Sequence, residues 1–249
     1  MWFYGRKIIN TLFRRWTQRS QLCVELATRR EADSDRSDIR MFEVGLSTQQ
    51  YGDYEQSKGN AAYQAESTRL INCAKANGLF IPKDQWVNFG ERKRQPSGES
   101  IVYLHERNQK VIKLRDPFAK ATLKQLHAQD AIYEHLVHNL LFPSTRYTFL
   151  GISEDINSVR IVLEQPYFPD QFLSPDQSQI DEYLIEGLGL KQEDRYFYGN
   201  DWLSITDISS EGDNVLTDGS QLFFIDPIIK LKHPAQTVLA HYLNLLRAK

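Results

Sequence analysis

This 249-residue chain has few cysteines, little net charge and no long apolar run. Cys23 and Cys73 form no CxxC pair, a pattern typical of buried or idle thiols in a reducing compartment, so we expect a cytoplasmic protein. The net charge of −2 creates no field that would attract nucleic acid, which is therefore not an expected partner. No apolar run approaches the roughly 18 residues of a membrane helix, and we expect no transmembrane segment.

The first 57 residues differ from the remainder in composition. Residues 1–20 carry basic side chains and no acid, and their apolar residues fall on one helical face. This basic amphipathic segment lacks the apolar core of a signal peptide. It fits a terminal helix docked on its own domain, which we favour, or a helix that contacts a membrane surface or a partner. Residues 31–57 are polar and predict a linker or mobile arm.

Residues 58–249 alternate between helical and β-like patterns, which predicts an α+β fold. A helix is expected over 60–77, because Asn60 can cap its start and Gly78 suits a left-handed stop. A second helix is expected over about 120–141. Three short β-like runs precede it and two follow it. These runs are WVNF, SIVYL, KVIKL, RYTFLGI and VRIVLEQ.

A cluster of acidic and amide residues marks the C-terminal part, which also predicts a helix from about Ser174 and a closing helix from about Pro234. The stretch ITDISSEGDNVLTDGSQLFFIDP places the cluster beside apolar runs. An acid behind LFFI is costly to bury unless it is paired or holds a metal. Asp218 precedes a glycine and is assigned to a hairpin turn. The candidate site residues are Asp207, Asp213, Asn214 and Asp226.

Six motifs, in order, carry a resemblance to a known family: GESIVYL, KVIKL, IYEHLVHNLLFP, VLEQPYF, ITDISSEGDNVL and LFFIDP. From about Asn88 to Lys232 the chain resembles the small kinase-like domains found in polyvalent proteins of bacterial mobile elements and phages. The resemblance implies a two-lobed protein-kinase-like fold, with an N-lobe over about 86–165, a small C-terminal lobe over about 166–249 and an N-terminal helical extension. It also implies ATP- and magnesium-dependent phosphotransfer to a serine, threonine or tyrosine of an unknown protein, or to a small-molecule acceptor.

The same resemblance implies roles for residues around the phosphates. Lys113 lies in the third β-like run, from which its ammonium would reach the α and β phosphates of ATP. Glu134 follows in the helix and would pair with Lys113. A turn containing Ser97, Gly98 and Ser100 would offer backbone N–H groups to phosphate oxygens. An ordinary hairpin is the alternative interpretation of this single-glycine turn.

The connector between the lobes is expected to bind adenine through backbone groups. A register that used the carbonyl of Glu164 would require an N–H from Pro166, which has none. We therefore expect the Leu163 carbonyl and the Gln165 N–H to take this role.

The acid and amide cluster would supply the metal ligands and the catalytic group. Asp226 and Asn214 are expected to bind magnesium, because a hard cation that bridges phosphates prefers carboxylate and amide oxygens. Asp207 would orient or deprotonate the acceptor hydroxyl. Asp207 and Asn214 are seven residues apart, whereas the kinase loop places these groups about five apart. Either the ISSEGD stretch bulges or Asp213 takes the catalytic role.

Departures from the kinase pattern leave a second function open. The chain has no His-Arg pair before Asp207, and proline follows Asp226 where kinases have Phe-Gly. No segment that would end an activation loop is visible. The alternative is a catalytically weak or inactive kinase-like binding module.

Three histidines lie on the second predicted helix. A zinc pair would need a spacing of four and a third ligand, which the sequence does not supply. We expect solvated or capping side chains for His127, His135 and His138.

Overall fold

The computed structural model describes most of the chain from residue 60 onward and part of an N-terminal segment. The described ranges are 37–38, 40–41, 43–45, 60–93, 100–118, 128–156, 158–169, 172–233, 237–238 and 241. The basic amphipathic segment expected over residues 1–20 lies outside them. No helix in these ranges has both the length and the apolar character needed to cross a membrane.

The prediction of a polar linker is wrong for the described residues between 37 and 45. The described residues in this range are helical, and we call them the N-terminal helical segment. Met41 and Val44 are buried in the main apolar core, and Asp38 is buried beside them. Burial of this acid is possible because its carboxylate pairs with Arg146 at 2.7 Å. The polar composition of this stretch therefore gave no indication of its two core residues and its paired acid.

A six-stranded sheet organises the N-terminal half. Its strands are β1 (Phe80–Ile81), β2 (Glu91–Lys93), β3 (Ser100–His105), β4 (Lys110–Arg115), β5 (Thr148–Asp155) and β6 (Ser158–Pro166). Their order across the sheet is β1-β5-β6-β4-β3-β2. The pair β1 and β5 is parallel, and the other neighbours are antiparallel. Valine and isoleucine recur in β3 to β6, which suits a pleated and buried surface.

Two helices pack on one face of this sheet. They are α1 (Asn60–Ala76), where the sequence predicts 60–77, and α2 (Ala128–Leu141). The chain leaves α1 through Gly78 with a φ of 66°, a left-handed conformation that favours glycine. Pro143 follows α2 and prevents its continuation. The first part of the helix predicted over 120–141 lies outside the described residues.

The strand predicted at WVNF is wrong. Lys83–Phe89 forms a 3-10 helix. Pro82 fixes the extended entry to it, with a φ of −60°. Trp86 buries its ring, and its Nε1–H donates to Oγ of Ser153 at 2.8 Å. Val87 remains 78% exposed, so this apolar run does not supply the buried face of a strand.

The C-terminal half begins with α3 (Gln177–Glu182), which continues as a π turn. Six short strands follow: β7 (Lys191–Asp194), β8 (Phe197–Gly199), β9 (Leu203–Thr206), β10 (Val215–Thr217), β11 (Leu222–Phe224) and β12 (Ile228–Leu231). β10 and β11 form the hairpin that the sequence predicts, and the other four pair in the order β12-β9-β8-β7. Residues 237, 238 and 241 are helical, where a closing helix is predicted.

One apolar core joins the two halves. Side chains of α2, β5 and β6 pack in the same cluster as those of β9, β11 and β12. A smaller cluster lies on the opposite face of the six-stranded sheet, and Ile112 and Leu114 of β4 belong to it. Because side chains alternate along a strand, Lys113 points to the other face, toward the C-terminal half.

Candidate active site

Lys113 and Asp226 meet where the six-stranded sheet faces the hairpin β10–β11. Nζ of Lys113 is 3.4 Å from Oδ2 of Asp226. The lysine side chain is only 11% exposed, whereas that of Asp226 is 45% exposed. The ammonium is therefore enclosed by protein, and the carboxylate remains open to a ligand.

The charges around this pair keep the carboxylate ionised. Surrounding protein atoms displace water and raise the pKa of Asp226, but the charges of Lys113 and Arg115 and a hydrogen bond from Tyr147 outweigh this effect. The resulting pKa of Asp226 lies below its ordinary value. Burial lowers the pKa of Lys113, and the adjacent carboxylate opposes that shift. A negative oxygen is therefore available at the site at neutral pH.

Tyr147 is a site residue that the sequence analysis missed. Its hydroxyl donates to Oδ1 of Asp226 at 3.1 Å and lies 2.9 Å from the Ile225 carbonyl oxygen. Nζ of Lys113 lies 5.4 Å from the centre of its ring. Burial raises the pKa of Tyr147 well above its usual value, so the hydroxyl remains a neutral donor. In sequence it is one aromatic residue before a strand, and no motif distinguishes it.

Two histidines of α2 support the Tyr147 ring, and the expectation of solvated or capping side chains is wrong for both. His135 and His138 are 3% and 2% exposed. Their ring centres lie 4.9 Å and 4.6 Å from that of Tyr147. Burial lowers the pKa of His138 to about 4, and its Nε2–H donates to the Phe224 carbonyl at 3.1 Å. Both rings act as packing surfaces in the neutral form. His127 lies outside the described residues.

The loop between Asp207 and Asn214 brings these two residues into direct contact. Nδ2 of Asn214 donates to the backbone carbonyl of Asp207 at 3.0 Å. The extra length is taken up by a tight turn in which the Gly212 N–H donates to the Ser209 carbonyl at 3.2 Å. Asp207 is exposed and has a φ of 61°, a region that residues other than glycine rarely occupy. The stretch between Asp207 and Asn214 therefore folds back as a turn.

Asn214 is bonded to the residue that precedes Asp226. The Ile225 N–H donates to the Asn214 carbonyl at 2.8 Å, which extends the hairpin by one pair. The described residues contain no group of three or more histidine, cysteine, aspartate or glutamate side chains that could hold a metal. A cation here would thus depend on the Asp226 carboxylate, the Asn214 amide oxygen and oxygens of a ligand. Mg²⁺ commonly binds in this way.

Glu134 does not form the ion pair expected with Lys113. Among the described residues, Lys113 contacts Asp226 and Tyr147. Glu134 instead lines a small pocket together with Arg115. The same pocket is also lined by His135, His138 and Tyr147, so Glu134 lies beside these rings. The predicted pairing is therefore corrected.

The adenine contacts predicted for Leu163 and Gln165 also require correction. Both residues lie inside β6, opposite Lys113 and Val111 of β4. The same ladder continues beyond them, because the Tyr167 N–H donates to the Gln109 carbonyl at 2.9 Å. The alternation of an antiparallel ladder then turns the Leu163 carbonyl and the Gln165 N–H toward β4. These groups complete the sheet and do not form a free hinge.

The Gln165 side chain has a structural role at the site. Its amide donates to the carbonyl oxygens of Thr145 and Ile225, at 2.7 Å each. It therefore ties β6 to the residue that precedes Asp226. Of the turn expected to meet phosphate, Ser97 and Gly98 lie outside the described residues. Ser100 begins β3 as the register partner of Arg115.

A comparison with protein families shows which family the chain belongs to. The family described as serine/threonine/tyrosine kinase found in polyvalent proteins matches residues 63–233. The chain belongs to this kinase family. The match confirms the resemblance drawn from the six motifs, and it extends from within α1 to just beyond β12. No curated protein and no solved structure matches the chain at a significant level.

The polyvalent-protein kinase match contains the candidate site residues in the two halves of the fold. Lys113, Asp207, Asn214 and Asp226 all fall inside residues 63–233. Membership of a kinase family points to phosphotransfer as the class of chemistry. The N-terminal helical segment lies outside the matched region.

Proposed function

We propose that the protein is an ATP- and magnesium-dependent kinase with a two-lobed fold. The six-stranded sheet would carry the phosphate-binding lysine, and the C-terminal half would carry the metal and acceptor groups. The observation that carries this proposal is the 3.4 Å separation between Nζ of Lys113 and Oδ2 of Asp226. A cation on the sheet and an acid after the hairpin thus meet at one point, as phosphotransfer between two halves requires.

Lys113 would exchange its contact with Asp226 for oxygens of the α and β phosphates. Its enclosure favours this role, because a desolvated ammonium interacts more strongly with an anion than one in bulk water. The π-face of Tyr147 also lies beside the ammonium. Lys113 would therefore bind and orient the triphosphate.

Asp226 and Asn214 would hold the magnesium ion. The carboxylate is half exposed, and both residues offer the hard oxygen donors that Mg²⁺ prefers. Because the Asn214 amide nitrogen is already bonded to the Asp207 carbonyl, the amide oxygen is the atom left for the cation. When bound, the ion would neutralise charge on the transferring phosphoryl group.

Asp207 would accept or orient the proton of the acceptor hydroxyl. Its side chain is exposed, so an acceptor from solution can reach it. Its left-handed backbone is held by Asn214, and such unfavourable backbone conformations are concentrated at functional sites. Asp213 remains the competing candidate. Asp207→Asn and Asp213→Asn proteins separate the two, because only the variant that removes the catalytic carboxylate should lose phosphate transfer.

A second candidate function is a kinase-like module that binds nucleotide without turnover. It is favoured by one observation: Lys113 contacts Asp226 and not Glu134, whereas active protein kinases require the lysine–glutamate pair and the metal-binding aspartate together. A protein of this kind would bind Mg·ATP through the same residues and act by its shape.

The test combines phosphate transfer and nucleotide binding. Wild-type protein is incubated with γ-labelled ATP and Mg²⁺, alone and with serine-, threonine- and tyrosine-containing acceptor peptides. Thermal unfolding is followed with and without Mg·ATP, because a ligand that binds only the folded state raises its stability. The variant Asp226→Asn is compared with Asp218→Asn, a control at the turn of the same hairpin where the side chain forms only local hydrogen bonds.

Each result assigns the function. Transfer by the wild type and Asp218→Asn, lost in Asp226→Asn, supports the kinase. A thermal shift without transfer supports the nucleotide-binding module. Absence of both transfer and shift in the wild type would refute both functions.

A further inference from the structure

Tyr147 contacts both charged members of the candidate site. Its hydroxyl is within hydrogen-bonding distance of Asp226 Oδ1 and of the Ile225 carbonyl, at 3.1 Å and 2.9 Å. Its ring faces the Lys113 ammonium. A hydroxyl has one proton to donate, so the two acceptors share a single donor that fixes the backbone and the carboxylate together. The Ile225 carbonyl is also held by the Gln165 amide, whereas the orientation of the Asp226 carboxylate depends on where the Tyr147 hydroxyl is held.

The backbone of Tyr147 is clamped by one side chain of α2. Oδ1 of Asn139 accepts the Tyr147 N–H at 2.6 Å, and Nδ2 of Asn139 donates to the Tyr147 carbonyl at 2.8 Å. Both atoms of the amide group are thus used on the same residue. Asn139 is itself 6% exposed, so water does not compete for these bonds.

The clamp is held in turn by the N-terminal helical segment. Oδ1 of Asp38 accepts a hydrogen bond from Nδ2 of Asn139 at 2.8 Å. The other oxygen, Oδ2, pairs with Arg146, the residue before Tyr147, at 2.7 Å. The Asp38 side chain is 3% exposed. A continuous chain of hydrogen bonds therefore runs from Asp38 through Asn139 and Tyr147 to Asp226.

We propose that Tyr147 is a positioning residue for the metal-binding carboxylate of Asp226, and that Asp38 of the N-terminal helical segment sets Tyr147 in place through Asn139. The metal-binding part of this inference rests on the proposed function. A segment outside the family-matched region would then support the site. Groups that orient metal ligands usually change metal affinity or activity by about 10- to 100-fold when removed.

The first test compares Tyr147→Phe with Tyr183→Phe. Tyr183 also packs its ring beside Phe224 and donates to a backbone carbonyl, that of Leu141 at 2.9 Å, but among its contacts in the described residues Asp226 is absent. Each variant loses one hydroxyl and keeps its ring. The Mg²⁺ midpoint is the Mg²⁺ concentration that gives half of the maximal effect. It is measured once from the thermal shift at fixed ATP and once from the rate of phosphate transfer. Tyr147→Phe should require about 10-fold more Mg²⁺ or greater, and Tyr183→Phe should match the wild type. Equal midpoints for the two variants would overturn the proposal.

The second test asks whether Asp38 acts through Tyr147. Asp38→Asn keeps the size of the side chain and removes its charge. Its Mg²⁺ midpoint should move in the same direction as that of Tyr147→Phe, and the double variant should be no worse than Tyr147→Phe alone. Residues of one network show such non-additivity, whereas independent sites give additive effects. Full additivity, or an unchanged midpoint in folded Asp38→Asn protein, would contradict the proposed route.

Amide hydrogen exchange gives a readout that does not require magnesium or activity. Loss of the Tyr147 hydroxyl in Tyr147→Phe should accelerate hydrogen exchange of the Ile225 N–H relative to Tyr183→Phe. Loss of the Asp38 charge in Asp38→Asn should accelerate exchange of the Tyr147 N–H relative to the same control. Acceleration in a protein that shows no Mg·ATP shift would support the positioning chain while refuting the proposed function. Unchanged exchange at both amides would refute the positioning chain by itself.

Discussion

Acidification should destabilise this protein through a buried histidine beside the site. Burial lowers the pKa of His138 from its ordinary 6.5 to about 4. The unfolded chain therefore binds a proton before the folded chain does as the pH falls. The stability contributed by the neutral ring is complete above pH 6.5 and is lost as the pH falls toward 4. Linkage between these two pKa values gives a loss of about 2 kcal/mol at pH 5 relative to pH 7.

The surroundings of His138 explain why its protonation is unfavourable in the folded state. Nε2–H of His138 already donates to the Phe224 carbonyl, so a second proton would be added at Nδ1. Among the described residues, Nδ1 is buried and has no hydrogen-bond partner. Burial also lowers the pKa of His135 well below its usual value, which adds an effect of the same sign.

Urea unfolding at pH 7 and pH 5 measures the effect directly. The wild-type free energy of unfolding should fall by about 2 kcal/mol more than that of His138→Gln, whose amide can retain the bond to Phe224 without titrating. His105→Gln, a change on the β3 strand far from this packing, should keep the wild-type response. If His138→Gln lost as much stability as the wild type between the two pH values, the argument for a neutral buried ring would fail.

Two further predictions test the fold and the site separately. Gly151→Ala would place a Cβ atom 2.1 Å from the Leu79 carbonyl oxygen and should lower the free energy of unfolding by about 2–3 kcal/mol in urea denaturation. Gly187→Ala, where the added atom meets nothing within 4 Å, should change it by less than about 1 kcal/mol, and equal losses would contradict the steric reason. Lys113→Met should abolish the Mg·ATP thermal shift and change the free energy of unfolding by less than about 1 kcal/mol, because methionine avoids the cost of burying an ammonium and the Asp226 carboxylate left behind is 45% exposed. A full shift in Lys113→Met would remove the lysine from the phosphate site.

Local sequence patterns correctly predicted the elements whose apolar residues follow a single helical or β-strand periodicity. The helix at Asn60–Ala76, the strands around Lys113 and the β10–β11 hairpin lie where the sequence indicates. WVNF failed as a strand because Trp86 anchors a 3-10 turn through a contact with Ser153, which is distant in sequence. Within the polar stretch, the described residues between 37 and 45 are not a linker, because the buried acid Asp38 has a partner more than 100 residues away.

The sequence proposes Lys113, Asn214 and Asp226 as site residues from a strand lysine and an acid and amide pattern beside apolar runs. The structure brings two of them, Lys113 and Asp226, to within 3.4 Å of each other. Glu134 was predicted to pair with Lys113 from its place on a helix, but tertiary packing brings the Asp226 carboxylate to the lysine instead. Tyr147 has no sequence signal at all, because its role depends on the approach of residues 225 and 226.

Sequence alone determined the family, the order of the main strands and helices, and the chemical types at the site, because these depend on residue identity and local spacing. Tertiary structure alone decided which charges meet: Lys113 with Asp226, and Asp38 with Arg146. The physical reason is that a hydrogen bond or ion pair depends on distances of a few ångströms between distant parts of the chain. Periodicity identifies the buried face of an element but does not specify its neighbour in space.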